Sequence, residues 1–81
     1  MRIRDTRDRR EVEAVRRWSI AEKIAGRVEE LPDWEPRSPH YNSCFREPAT
    51  GRQWVVYLAD HAYGGEVRLL GPGTFGNLVP R

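Results

Sequence analysis

Apolar residues recur with a helical period in the first part of this chain and alternate in the second. No proline interrupts residues 8–31, and Asp8 with Glu11 three positions on has the spacing of a helix-capping box. Wound at about 100° per residue, Ala14, Trp18, Ile20, Ala21, Ile24, Ala25, Val28 and Leu31 share one broad face, which predicts a helix packed through that face. Val12 and Val15 fall outside it. Ser19 with Glu22 repeats the capping spacing just after Trp18. The segment therefore reads as one helix, straight or bent, or as two short helices meeting near Trp18. Ahead of it, Met1 and Ile3 alternate with Arg2 and Arg4, the pattern of a short edge strand or of an unpaired arm.

Pro32, Pro36 and Pro39 end the helix and predict an extended crossing, with Trp34 as its anchor. Alternation then predicts strands at 41–46, 53–59 and 66–70, with turns at 48–51 and around 64–65. If Glu47 faces Arg52 across the first turn, Phe45 lies opposite Trp54, Ser43 opposite Val56 and Tyr41 opposite Leu58. Pairing Leu58 with Val67 then sets Val56 opposite Leu69. One sheet face collects Tyr41, Phe45, Trp54, Val56, Leu58, Val67 and Leu69, and this is the face for the helix; a one-residue slip would scatter the set. The expected fold is α+β, an N-terminal helix on one face of a three-stranded antiparallel meander. The other face carries Asn42, Cys44, Arg46, Val55, Tyr57, Arg68 and Leu70. One helix cannot cover both faces, so this second face is expected to stand open to a partner unless Met1 and Ile3 fold over it.

Eighty-one residues suit one domain, placed at 1–70, with a flexible Gly/Pro tail at 71–77. Residues 78–81, Leu-Val-Pro-Arg, read as the remnant of a thrombin-cleavable tag. Eight aromatic residues argue against disorder, while the lone Cys44 excludes an internal disulfide and suits a reducing compartment. No apolar run approaches the ~18 residues of a membrane span. The expectation is a soluble, cytoplasmic chain with no membrane partner.

Candidate chemistry is sparse. Gly71-Pro72-Gly73-Thr74-Phe75-Gly76 matches G-x-G-x-x-G, but Pro72 intervenes and no helix follows to hold a pyrophosphate. His40, Cys44, Asp60 and His61 match no zinc spacing. The acid pairs Glu29-Glu30 and Asp33/Glu35 lie where solvent keeps both ionised, unlike a working acid–base pair. No catalytic, cofactor-binding or metal-binding residue is expected. The opening, Arg2-Ile3-Arg4-Asp5 followed by Glu11-Val12-Glu13-Ala14-Val15, resembles the first strand and helix of GNAT-type acetyltransferases. The glycine-rich turn that holds acetyl-CoA in that family has no counterpart here, so the resemblance brings neither activity nor cofactor.

Two binding readings remain. The first is a non-enzymatic regulatory module that contacts a protein, or a second copy of itself, through Cys44, Arg46, Val55, Tyr57, Arg68 and Leu70; Tyr and Arg among aliphatics mark interface centres. The second is nucleic-acid binding. Thirteen of the fourteen cations are Arg, and Arg2, Arg4, Arg7, Arg9, Arg10, Arg16 and Arg17 crowd the first seventeen residues. Guanidinium forks suit phosphate, and Tyr57 beside Arg68 offers a base a stacking pair. Interspersed acids would instead pair these arginines along the helix, Glu13 with Arg16 and Arg17 first.

Overall fold

The computed structural model describes residues 1–71; the rest of the expected Gly/Pro tail at 71–77 and the expected tag remnant at 78–81 lie outside the described residues. One helix, α1 (Arg9–Ile24), precedes four strands: β1 (Glu29–Pro32), β2 (Asn42–Glu47), β3 (Arg52–Tyr57) and β4 (Glu66–Leu70). The strands form one antiparallel sheet in chain order. The architecture is the expected α+β arrangement with a fourth strand added.

The helix starts where its cap predicts. Asp8 is the N-cap, and its carboxylate accepts from Glu11 N at 2.9 Å. The reciprocal half of the box is replaced: Glu11 turns to Arg4 and Thr6, and Thr6 Oγ1 accepts from Asp8 N. α1 is unbroken through Trp18. It stops at Ile24, short of the expected Leu31, because Gly26 adopts φ +81° and closes a Schellman motif. In that motif Arg27 N bonds Glu22 O and Gly26 N bonds Lys23 O.

The chain after this stop becomes β1, paired to β2 from Glu29↔Arg46 to Pro32↔Ser43. Glu-Glu-Leu-Pro has little strand propensity. It is tolerated because β1 is a sheet edge, where proline and charge are at home.

The helix face is the main correction. The buried residues of α1 are Val12, Val15 and Ser19, with Trp18 packed beside them, whereas Ala14, Ala21, Ala25 and Ile24 (81 % exposed) face solvent. The reason is a polar contact inside the core. Ser19 is fully buried; its hydroxyl donates to Val15 O at 2.7 Å and accepts from Trp54 Nε1 at 2.9 Å. A stripe counted only by apolar residues omits this serine, and the remaining alanines and isoleucines then point the wrong way. Ser19→Ala should cost about 1–3 kcal/mol, since it strands a buried indole N–H. Urea melts measure this, and an unchanged midpoint would mean that the bond contributes nothing.

The β2–β3 register matches expectation from Glu47↔Arg52 through Phe45↔Trp54 to Ser43↔Val56, and Leu58 N donates to Tyr41 O beyond it. β4 is shifted by two residues: Val56 faces Val67, and Trp54 faces Leu69. Asp60 makes the connecting turn, accepting from Ala62 N and Tyr63 N, so the turn lies ahead of Gly64-Gly65. An even shift keeps every side chain on its face. Phe45, Trp54, Val56 and Val67 accordingly form the core with Ile3, Val12, Val15 and Val28. The arm 1–6 runs beside β4, bridged at Thr6↔Val67, and Ile3 enters this same core, away from the second face.

Candidate functional site

The second sheet face does not stand open. Cys44, Val55 and Tyr57 are buried; Arg46 and Leu70 are half-buried, and Arg68 is exposed. The proline-rich crossing folds back over the Asn42–Tyr57 end of this face. Buried Asn42 accepts from Glu35 N and donates to Glu35 O and His40 O. Its cross-strand neighbour Tyr57 donates to Glu35 Oε1 at 2.7 Å. Trp34, the expected anchor, is half-buried in this crossing, and its Nε1 is buried without a hydrogen-bond partner among the described residues. The sequence signal for this cover was Asn42 itself, a polar residue opening a strand within reach of unpaired loop amides.

Arg68 and Tyr57 are together, yet closed to a base: the guanidinium lies 5.1 Å over a ring that is itself buried. Burial, and next the bond to Glu35, pushes the Tyr57 hydroxyl above its usual range. Arg68 also reaches Glu66, and Arg46 bonds Glu29.

The N-terminal arginines divide into paired and unpaired sets. Arg4 forks onto Glu11 at 2.7 and 2.9 Å, and Arg7 approaches Glu66. Arg16 forks onto Glu13, and Arg17 bonds the same carboxylate. These bonds, that of Arg16 first, hold the Glu13 carboxyl at about 2, so both partners stay engaged throughout the neutral range. Arg2, Arg9 and Arg10 have no carboxylate partner among the described residues.

Sheet width leaves a concavity beside the helix that the apolar pattern of the chain does not show. A helix is about 10 Å across and strands lie about 4.8 Å apart, so one helix covers roughly two of four strands. α1 lies over β3 and β4. Beside it runs an open groove of about 1150 Å³ lined by Arg9, Arg10, Val12, Glu13, Ala14, Arg16, Arg17, Leu58 and Ala59. It shares Arg16 and Leu58 with a recess of about 60 Å³ where Ile20, Tyr41 and Phe45 meet. Tyr41 is 57 % exposed here, and Ile20 and Leu58 are half-buried. The recess is electrically satisfied, because Glu30 accepts from both Lys23 and Ser43. Burial opposes ionisation of Glu30 most strongly, but those two donors together still hold its carboxyl low. The apolar pattern alone puts Ile20, Tyr41 and Leu58 in the buried interface. Counting the fourth strand would have shown that one helix leaves them at its margin.

Other chemistry is modest. His40 stacks on Tyr63 with centroids 3.7 Å apart, and its Nδ1 lies 3.4 Å from Asp60 without hydrogen-bond alignment. Burial pushes the Cys44 thiol up to about 12, far from nucleophilic. No group of three or more His, Cys, Asp or Glu side chains among the described residues is placed to hold a metal ion. No helix among them is long and apolar enough to cross a membrane. No family model, no curated relative and no solved structure matches the chain.

Proposed function

We propose that this domain is a non-enzymatic binding module acting by protein–protein contact, and that the contact is made in the groove beside α1. The observation that carries this reading is the gathering of exposed Tyr41 with Ile20 and Leu58 in one concave strip bordered by guanidinium groups. Aromatic and aliphatic anchors mixed with Arg are what interface centres favour. The set first singled out (Cys44, Arg46, Val55, Tyr57, Arg68 and Leu70) supplies a polar rim around a covered centre. Hot spots sit at the centre of an interface, so a rim alone is a poor anchor.

Four guanidinium groups on one flank favour nucleic acid as a second reading. Against it, Glu13 sits among them and holds two of the four, while Arg4 and Arg7 are turned to acids elsewhere.

Peptides selected from a random display library on the full chain provide the test. Tyr41→Ser should weaken them by about 2 kcal/mol or more, the loss typical of a central anchor, and Arg68→Ala should leave them unchanged. The reverse pattern would move the contact to the other sheet face. An oligonucleotide held more tightly than any peptide at ~50 mM salt, and released steeply by added salt, would favour the second reading.

A further inference from the structure

The groove is not uniform along its length. The part that runs along the first half of α1 carries Arg9, Arg10, Arg16 and Arg17, with Glu13 as the acid among its lining residues. Arg16 and Arg17 are held in place by that acid, whereas Arg9 and Arg10 have no partner among the described residues. Both unpaired arginines occupy the first turn of α1, between the Asp8 carboxylate that caps Glu11 N and Glu11 itself, which is turned to Arg4 and Thr6. Cations there oppose the helix dipole, and the two acids of this terminus that offset them, Asp8 and Glu11, are spent on the cap and on Arg4. Neither guanidinium has a carboxylate among the described residues, so both can take an incoming anion.

The other end differs. Ile20, Tyr41 and Leu58 present apolar surface, and the two charges that line it are already paired, Glu30 with Lys23 and Arg16 with Glu13.

We infer that the groove takes a protein segment that is acidic where it lies over Arg9 and Arg10 and aliphatic where it lies against Ile20 and Tyr41. This rests on the protein-contact reading above and adds the partner's chemistry. Two other occupants fit less well. A nucleic acid carries phosphate at every step and would have to desolvate charge against the apolar end. A second copy of this chain, docked groove to groove, would bring arginine against arginine.

Three synthetic peptides with one aliphatic pattern, carrying Glu, Gln or Lys at the remaining positions, test this on the full chain by fluorescence anisotropy. The Glu peptide should bind at least about tenfold more tightly than the Gln peptide at low salt, and the Lys peptide should not bind. The double variant R9E/R10E should reverse that order. It should also fold, because acids in the first turn suit the dipole and neither arginine side chain is tied to another among the described residues. Tyr41→Ser should weaken whichever peptide binds.

Equal binding of the Glu and Gln peptides, still sensitive to Tyr41→Ser, would overturn the acidic partner and leave the protein-contact reading standing. Failure of all three peptides, with display-selected peptides indifferent to Tyr41→Ser, would remove both. A single-stranded oligonucleotide that binds more tightly than the Glu peptide and is lost in R9E/R10E would overturn the inference in favour of nucleic acid.

Discussion

Trp54→Ala should cost roughly 3–5 kcal/mol, the range for deleting a buried aromatic side chain, and leave this small domain close to unfolding. Trp54 is 0 % exposed and sits where the core elements meet. Its ring lies 5.8 Å from that of Trp18 and 6.0 Å from that of Phe45. Its N–H is the donor that makes a buried Ser19 tolerable. The guanidinium of Arg52 lies 5.5 Å from the same ring, itself held by Glu47 and by Met1 O. Removing the indole therefore opens a cavity and leaves Ser19 with only its bond to Val15 O. Trp54→Phe keeps most of the packing and loses the bond, so its loss should be smaller and close to that of Ser19→Ala. Urea midpoints for the three variants measure this. A Trp54→Ala chain that unfolds like its parent would contradict the packing described above.

Gly65→Ala is expected to be nearly as damaging, for a different reason. Gly65 has φ +88°, where an L residue costs roughly 1–2 kcal/mol. A Cβ there would also lie 2.9 Å from Tyr57 O and 2.9 Å from Val12 Cγ1. The carbonyl cannot swing away as a flexible side chain would, and overpacking adds about 1–3 kcal/mol. Gly26 is the built-in control, with φ +81° and nothing within 4 Å of an added Cβ. Gly26→Ala should lose only the conformational part. Equal losses at the two glycines would mean that the close approach of Gly65 to Val12 does not limit stability.

Much of the fold was legible wherever local chemistry and pattern agreed. Asp8 starts the helix, and Glu47 across from Arg52 sets a register that brings Phe45 to Trp54 and Ser43 to Val56. Legibility failed where a polar residue took an apolar place, or where tertiary context overrode propensity. Ser19 hid the inward face of α1, Glu29–Pro32 pairs as an edge strand despite its composition, and Asp60 rather than Gly64 set the last turn. The candidate site was less legible than the fold. Tyr41, Ile20 and Leu58 were each recognised as interior-facing. Their position beside the helix, and not beneath it, depends on how many strands the sheet has and which two the helix covers. The arginines were visible as a cluster, but which of them remain unpaired depends on where Glu11, Glu13 and Glu66 lie in space.

Backbone amide chemical-shift mapping on the full chain, titrated with the Glu-bearing peptide, tests the central claim most directly. Shifts should concentrate on the flank of α1 from Arg9 to Ile20 and on Tyr41, Leu58 and Ala59, the two sides of one groove. Shifts confined to Arg46, Arg68 and Leu70 on the opposite sheet face, with the flank of α1 silent, would contradict it.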